Sequence, residues 1–478
     1  MFFSVLALQL LAFQPAFGLP LVRRGAEPDP SQAVSVKLDG KTFVNKGLVA
    51  FGLIPSNATE STGDTIGGIG SAIALKSFSD NGSGAFTGTL IVQPDRGFNV
   101  DGTIDYQGRQ HTIDFVLFPY YGTSDLSSAD AQKTLQLTYK NTVLYEDRNN
   151  AKTSGLDAAG VRPPQSGFPS IAAADPEMPI PSKSDNRLTL DLEGLVLNAD
   201  DSAWVSDEYG PYIFRFSTEG DLLQTIQPPA AIVPMDKDKV NFTGDSDPDT
   251  GRAGNHGFEG LTVNADGTAL YALLQAATIQ DGGDKKKNAR YTRLLEYDIS
   301  DPTNERPPLT GEWVVPLPLD SDKKTLAASE LHFVSENTFL VLSRDGNGHG
   351  GDDATVEYNK FDDPSNPVAK KGDLDKDVEP ATYMGFVDYV DETQLARFGL
   401  HNGKPDDQTL INAKWESVAL APAFDPDFPD DYFLFTASDN DFISTQGIAL
   451  GKPFNAGEDV DNQFLVFRVT LPGAQVNI

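Results

Sequence analysis

The chain has 478 residues and no cysteine, and its 37 Lys and Arg against 69 Asp and Glu give a formal net charge of −32. That excess of acid argues against nucleic acid and anionic membrane surfaces as partners. Without disulfides, stability must come from a large core, sheet closure or bound metal, and abundant Phe, Gly and Pro (29, 43 and 32) favour strands over helices.

Residues 1–18 read as a secretion signal: Phe2 to Phe13 is almost wholly apolar, too short to span a bilayer, and small residues follow at Ala16-Phe17-Gly18. Arg23-Arg24 is a dibasic processing candidate, so 19–32 is expected to be a propeptide or disordered segment ahead of one domain over 33–478. Asn57, Asn81 and Asn241 begin glycosylation triplets for a chain on a eukaryotic secretory route. A secreted, extracellular, monomeric glycoprotein acting on a small anionic or ester substrate is the expectation.

Alternation at Val34, Val36 and Leu38 turns at Asp39-Gly40, as in a hairpin. Gly67-Gly68 opens a strand near Ile73, a second runs from Gly88 to Gln93, and Ile104 to Leu117 holds two more. Residues 148–187 form a Pro- and Gly-rich excursion. A sentence of strand, turn, strand, charged loop, strand then recurs from Leu188, Gly260, Leu331 and Val418. Phe464–Val469 is expected to pair with the N-terminal strands and close a ring. This is the grammar of propeller blades, and units of about 75 residues predict an all-β, single six-bladed β-propeller, with seven blades as the alternative.

Within the repeat, Asp191-Leu192-Glu193-Gly194-Leu195 returns as Gly257-Phe258-Glu259-Gly260-Leu261, with looser echoes around Glu330 and Glu416. These glutamates are spaced 66, 71 and 86 residues apart. Carboxylates converging on one axis repel unless a cation lies among them. Calcium, which takes oxygen ligands in irregular geometry, is the expected ion. Asp207, Glu208, Asp345, Asp439 and Asn440 end second strands and are candidates to complete the shell. The competing reading has the glutamates binding backbone amides of neighbouring blades as scaffold. No His-x-x-x-His spacing favours zinc, and no Gly-x-Ser-x-Gly elbow favours a serine esterase. The Asp345–Asp353 loop has Val356 where an EF-hand needs Glu, and reads as a glycine-rich surface loop.

An ordered series of phrases resembles the phytase-like family of secreted β-propellers. It comprises Gly67-Gly68, Asp95-Arg96-Gly97, Asp191–Leu195, Ser206-Asp207-Glu208-Tyr209-Gly210-Pro211, Gly257–Leu261, Ser329-Glu330-Leu331, Lys414-Trp415-Glu416 and Ser438–Phe442. The likeness spans roughly 40–470 and departs from the family pattern at Gly70-Ser71-Ala72, Ser343-Arg344-Asp345 and Ser417. It implies a propeller hydrolase of phosphate or other esters. Metal candidates are Glu193, Asp207, Glu208, Glu259, Glu330, Glu416 and Asp439, with calcium lowering the pKa of a bound water. Arg96 and Arg344 are candidates to hold anionic oxygens, with Lys414 a further cation near the metal and His256 a candidate to move a proton; the competing reading makes each a salt-bridge partner of the surrounding acids. A lactonase or sugar-ester hydrolase, with a neutral aromatic pocket around Tyr209, Trp415 and Phe442, and a non-catalytic binding propeller are the alternatives.

Overall fold

Turn residues punctuate the chain into antiparallel hairpins. Asp39 and Gly40 both take positive φ (48° and 77°), as a two-residue hairpin turn requires, and Val34–Leu38 pairs with Lys41–Ile54. In the Asn264–Gly267 turn the Asn264 side chain accepts from the amides of Thr268 and Ala269. The computed structural model describes residues 27–98, 102–168, 174–344 and 367–476. The signal 1–18, Arg23-Arg24 and the 345–353 loop lie outside the described residues.

The hairpins assemble into radially arranged sheets. Blade I comprises Ala72–Asp80, Phe86–Gln93, Arg109–Leu117 and Leu135–Leu144; blade II comprises Leu192–Leu197, Ala203–Asp207, Ile213–Phe216 and Leu222–Ile226. Blade III holds Phe258–Val263, Ala269–Leu274, Tyr291–Asp298 and Leu309–Pro316, and blade IV holds Ala327–Ser335 and Thr338–Arg344. Blade V joins both ends of the chain: Ala419–Pro422, Asp431–Asp439, Asn462–Thr470, then Lys41–Ile54 and Val34–Leu38. The ring closes as expected, by the C-terminal strand pairing with an N-terminal one. The first strand of each blade lines an axial cavity of about 320 Å³, and the molecule is an all-β propeller.

Among the described residues five inner strands line the axis, where division of the chain length predicts six or seven. Residues 367–413, between blades IV and V, add no further inner strand. They form a small hairpin (Ala369–Lys370 with Asp373–Leu374) and a helix at Glu392–Ala396, and they pack Phe386, Tyr389 and Phe398 into the core shared by blades IV and V. Of the segment 19–32, the described part carries a 3-10 turn at Pro30–Gln32, and Glu27 pairs with Lys46 at 2.7 Å.

The high Phe content has its place between blades V and I. Phe86 meets Phe433 at 5.0 Å between ring centroids, Phe115 meets Phe435 at 5.2 Å, and Phe78 stacks on Phe86 at 5.3 Å. Each such pair adds roughly 0.5–1.5 kcal/mol to the burial of its rings, which helps a ring without disulfides hold its seam.

Candidate metal centre at the mouth of the tunnel

Each glutamate of the repeated phrase belongs to a β-bulge. In blade II Leu192 and Leu195 pair with Asp207 and Val205, one residue more on the inner strand than on its partner. In blade III Phe258 and Gly260 pair with Leu274 and Leu273, and in blade IV Ala328 and Glu330 pair with Ser343 and Leu342. In blade V Trp415 and Ala419 pair with Ser438 and Phe435, again one in excess. A bulge bends the strand and re-aims the side chain it carries, so one short phrase presents a carboxylate at the same height in successive blades. Glycine follows the glutamate where the next inner strand presses closest. A Cβ on Gly194 would lie 2.5 Å from Leu261 Cβ, and one on Gly260 would lie 2.6 Å from Leu331 Cβ. Second strands clasp the bulges from the preceding blade: Gln93 Nε2 donates to Glu193 O at 2.9 Å, and Ser206 Oγ to Glu259 O at 3.0 Å.

The buried carboxylates of Asp191, Glu193 and Glu208 bring oxygens within 4.8 Å of one another. Arg96 Nη1 donates to Asp191 Oδ2 at 2.7 Å and to Asn255 Oδ1 at 2.5 Å, with Tyr209 Oη 3.3 Å away. Gln275 donates to Glu259 Oε1. Asp191 Oδ1, Glu208 Oε1 and Glu259 Oε2 are buried with no hydrogen-bond partner among the described residues. An ionised carboxylate only accepts, so the orphaned oxygens of Asp191 and Glu208 within that trio, with Glu259 near enough to act on Glu193 and Glu208, suit a hard cation with oxygen ligands.

Across the mouth, blade V is arranged differently. Lys414 Nζ pairs with Asp439, lies 2.8 Å from Asp441 Oδ1 and 3.7 Å from Glu416 Oε1, and Arg344 pairs with Glu416. Asp95, from blade I, accepts from Gly97 N at 3.0 Å.

Burial and mutual repulsion govern the titration of this cluster. Burial first, then Glu259, Glu208 and Asp191, push Glu193 well above the ordinary carboxylate range. Burial followed by Glu259 does the same to Glu208, and burial followed by Asp439 to Asp95. Glu259 is pushed up to about 8 by burial and by Glu416. Asp191 and Glu416 also rise through burial, despite Arg96 and Arg344 respectively. Asp439 goes the other way: burial opposes its ionisation, but Lys414 holds it below its ordinary value.

The structure gathers Glu193, Glu208, Glu259, Glu416 and Asp439 with Arg96 and Arg344. Two of the expected metal ligands sit on backbone amides instead. Asp207 accepts from Asp191 N at 2.6 Å and Gly210 N at 2.9 Å, and Glu330 Oε1 accepts from Leu331 N at 2.7 Å and Leu261 N at 3.2 Å. These two match the scaffold reading. His256 is half-buried, its Nδ1 2.5 Å from Gly254 O, and burial lowers its pKa. Asn440 caps the amides of Gly68 and Phe442 at 2.9 and 3.1 Å. Asp95, Asp191 and Asp441 complete the cluster and were absent from the candidate set, and Lys414 joins it as the salt-bridge partner of Asp439 and Asp441. Asp191 opens the repeated phrase in blade II alone, and periodicity gave it no weight.

A closed ring of blades with buried carboxylates around one tunnel mouth defines a propeller with a candidate cation centre. The chain belongs to the phytase-like family: the family model described as "Phytase-like: Esterase-like activity of phytase" matches residues 67–442. An "Uncharacterized secreted protein" of Arthroderma benhamiae is 36% identical over 499 residues, covering 93% of this chain and 96% of its own. Among solved structures, the major allergen Mala s 1 of Malassezia sympodialis aligns at 13% identity and TM-score 0.31, over 91% of this chain and 88% of that one. A luciferin-regenerating enzyme aligns at 12% identity and TM-score 0.28, over 86% and 97%.

Proposed function

We propose that the protein is a secreted, calcium-dependent hydrolase of phosphate or other esters, working at the carboxylate-lined mouth. The observation that carries this reading is the set of three orphaned, buried carboxylate oxygens, on Asp191, Glu208 and Glu259, beside the guanidiniums of Arg96 and Arg344. Asp191, Glu193, Glu208 and Glu259 would hold the ion, which when bound supplies Lewis acidity toward a phosphoryl or acyl oxygen. Arg96 and Arg344, each held by one carboxylate, would orient anionic oxygens. His256 is the proposed proton acceptor. A carbonyl oxygen can only accept, so its bond to Gly254 O puts the proton on Nδ1 and leaves Nε2 basic. The next residue, Gly257, packs against Glu208, where a Cβ would come within 2.5 Å of its Cα. Export is supported by the N-terminal signal and the secreted relative.

The phosphate reading is favoured over a lactone or sugar ester by the aromatics. Tyr209, Trp415 and Phe442 are no more than 2% exposed and form no open apolar floor. The test is phosphate release from phytate and from p-nitrophenyl phosphate, in calcium and in chelator. Calcium-dependent release is expected, reduced by Glu193→Gln or Glu208→Gln more than about 10-fold, since even outer-shell partners of a metal cost about 10–100-fold. No release in either condition would reject phosphatase activity, and p-nitrophenyl acetate then separates an esterase from a binding propeller.

A further inference from the structure

The carboxylates of the mouth fall into two halves with different charge balance. In the blade V half, Glu416, Asp439 and Asp441 face two cations: Lys414 reaches all three and Arg344 pairs with Glu416. In the blade II–III half, Asp191, Glu193, Glu208 and Glu259 have one ion pair, Arg96 with Asp191, while Arg344 and Lys414 act on Glu259, and Lys414 on Asp191, only through space. Arg252 lies near Glu208, but its N–H groups are spent on the backbone carbonyls of Tyr209, Phe242, Thr243 and Ala253. The orphaned oxygens follow the same division. Among the described residues of the mouth, the buried carboxylate oxygens without a hydrogen bond belong to Asp191, Glu208 and Glu259, and none to Glu416, Asp439 or Asp441.

An ammonium surrounded by three carboxylates does what a bound cation does. It is a compact point charge with three donors, and it arrives covalently attached, with no entropy of association to lose. A calcium ion entering the same half would have to expel it or share its ligands at close range, where two unscreened like charges repel by several kcal/mol even at an effective dielectric constant of about 20. The II–III half has no such tenant.

We propose that Lys414 is a resident counter-cation that fills the blade V half of the mouth, so that the protein takes one divalent cation, at Asp191, Glu193, Glu208 and Glu259, and not two. This deepens, and rests on, the reading of the mouth as a cation site. Lys414 is then a positioning residue: it confines the ion to the side bearing Arg96 and His256.

The experiment counts calcium bound to the secreted protein by equilibrium dialysis with elemental analysis, and follows thermal unfolding in calcium and in chelator. Wild type is expected to bind one calcium per chain. Lys414→Met is expected to bind two, with a wider gap between its melting temperatures in calcium and chelator, while Lys414→Arg stays at one. Two calcium ions in wild type, or one in folded Lys414→Met, overturns the role of Lys414 and leaves the cation site standing. No calcium in wild type overturns both. If Lys414→Met does not fold even in calcium, Lys414→Gln decides, because it removes the charge but keeps a hydrogen-bond donor for Asp439. Two bound calcium ions in it support the proposal, and one overturns it.

Discussion

A repeated residue need not have a repeated role, and the four glutamates show why. Glu193 and Glu259 sit among other buried acids, whereas Glu330 Oε1 accepts two amides, its neighbour Leu331 N and Leu261 N of the adjoining blade. Removing that acceptor strands two buried donors, at a cost of about 1–3 kcal/mol. Glu330→Ala is therefore expected to lower the unfolding free energy from denaturant titration by that amount while leaving the calcium-induced shift intact. Glu330→Gln keeps the acceptor and should behave as wild type. A calcium shift abolished by Glu330→Ala in folded protein would return Glu330 to the metal shell. The sequence announced the glutamates through their phrase, since a bulge is encoded locally. It could not announce their partners, because many come from other strands, as Leu261 does for Glu330 and Arg344 for Glu416, and whether a carboxylate meets an amide, a cation or another carboxylate is decided there. Lys414 is the clearest case: its place before Trp415-Glu416 marks it as a cation near the acids, but which acids it meets is set by Asp439 and Asp441 folding against it.

At the level of elements, hairpins and turns were legible because their determinants lie within a few residues: Asp39-Gly40 with positive φ, Asn264 capping its own turn. Blade number was not, since it depends on how residues 367–413 are used, and irregular packing leaves no period to read. Closure of the ring was legible in Phe464–Val469, an unbroken β-forming run that pairs with Lys41–Ile54. That strand is the seam of the molecule. Phe467 pairs with Leu48 on one side and Leu434 on the other, and its ring stacks on Tyr389 at 5.3 Å. Phe467→Ala opens a cavity in a site that three segments of the chain hold rigid, so a loss of about 3–5 kcal/mol is expected. Val34→Ala, on the exposed outermost strand of the same blade, should stay within roughly 0.5 kcal/mol of wild type. Chemical denaturation of both variants measures the contrast, and equal losses would mean that the seam carries no special share of stability.

For the whole molecule, the net charge of −32 and the buried cluster both oppose folding as pH rises, and calcium separates them. Glu259 has a folded pKa of about 8, raised by burial and by Glu416, above the ordinary value of 4.5 expected in the unfolded chain. Between those values the native state keeps a proton that the unfolded state has lost, so the number bound is larger in N than in U and stability falls with pH. The contribution of this group is complete below about pH 4.5, declines through the interval, and is gone above about pH 8, at no more than roughly 1.4 kcal/mol per pH unit. Glu193 and Glu208, raised in the same direction by burial and their neighbours, steepen the slope. A cation among the carboxylates favours their ionised form and removes the reason for the slope, while protons compete with it at low pH. The difference in melting temperature between calcium and chelator is therefore expected to be small near pH 5 and to widen toward pH 8. Surface repulsion predicts a fall with pH as well, but high salt screens it and it does not depend on one residue. In high salt, the pH slope in chelator should survive in wild type and flatten in Glu259→Gln. A calcium effect that is constant across this range, or a slope in chelator that salt abolishes, would place the pH dependence on the surface and not at the mouth of the tunnel.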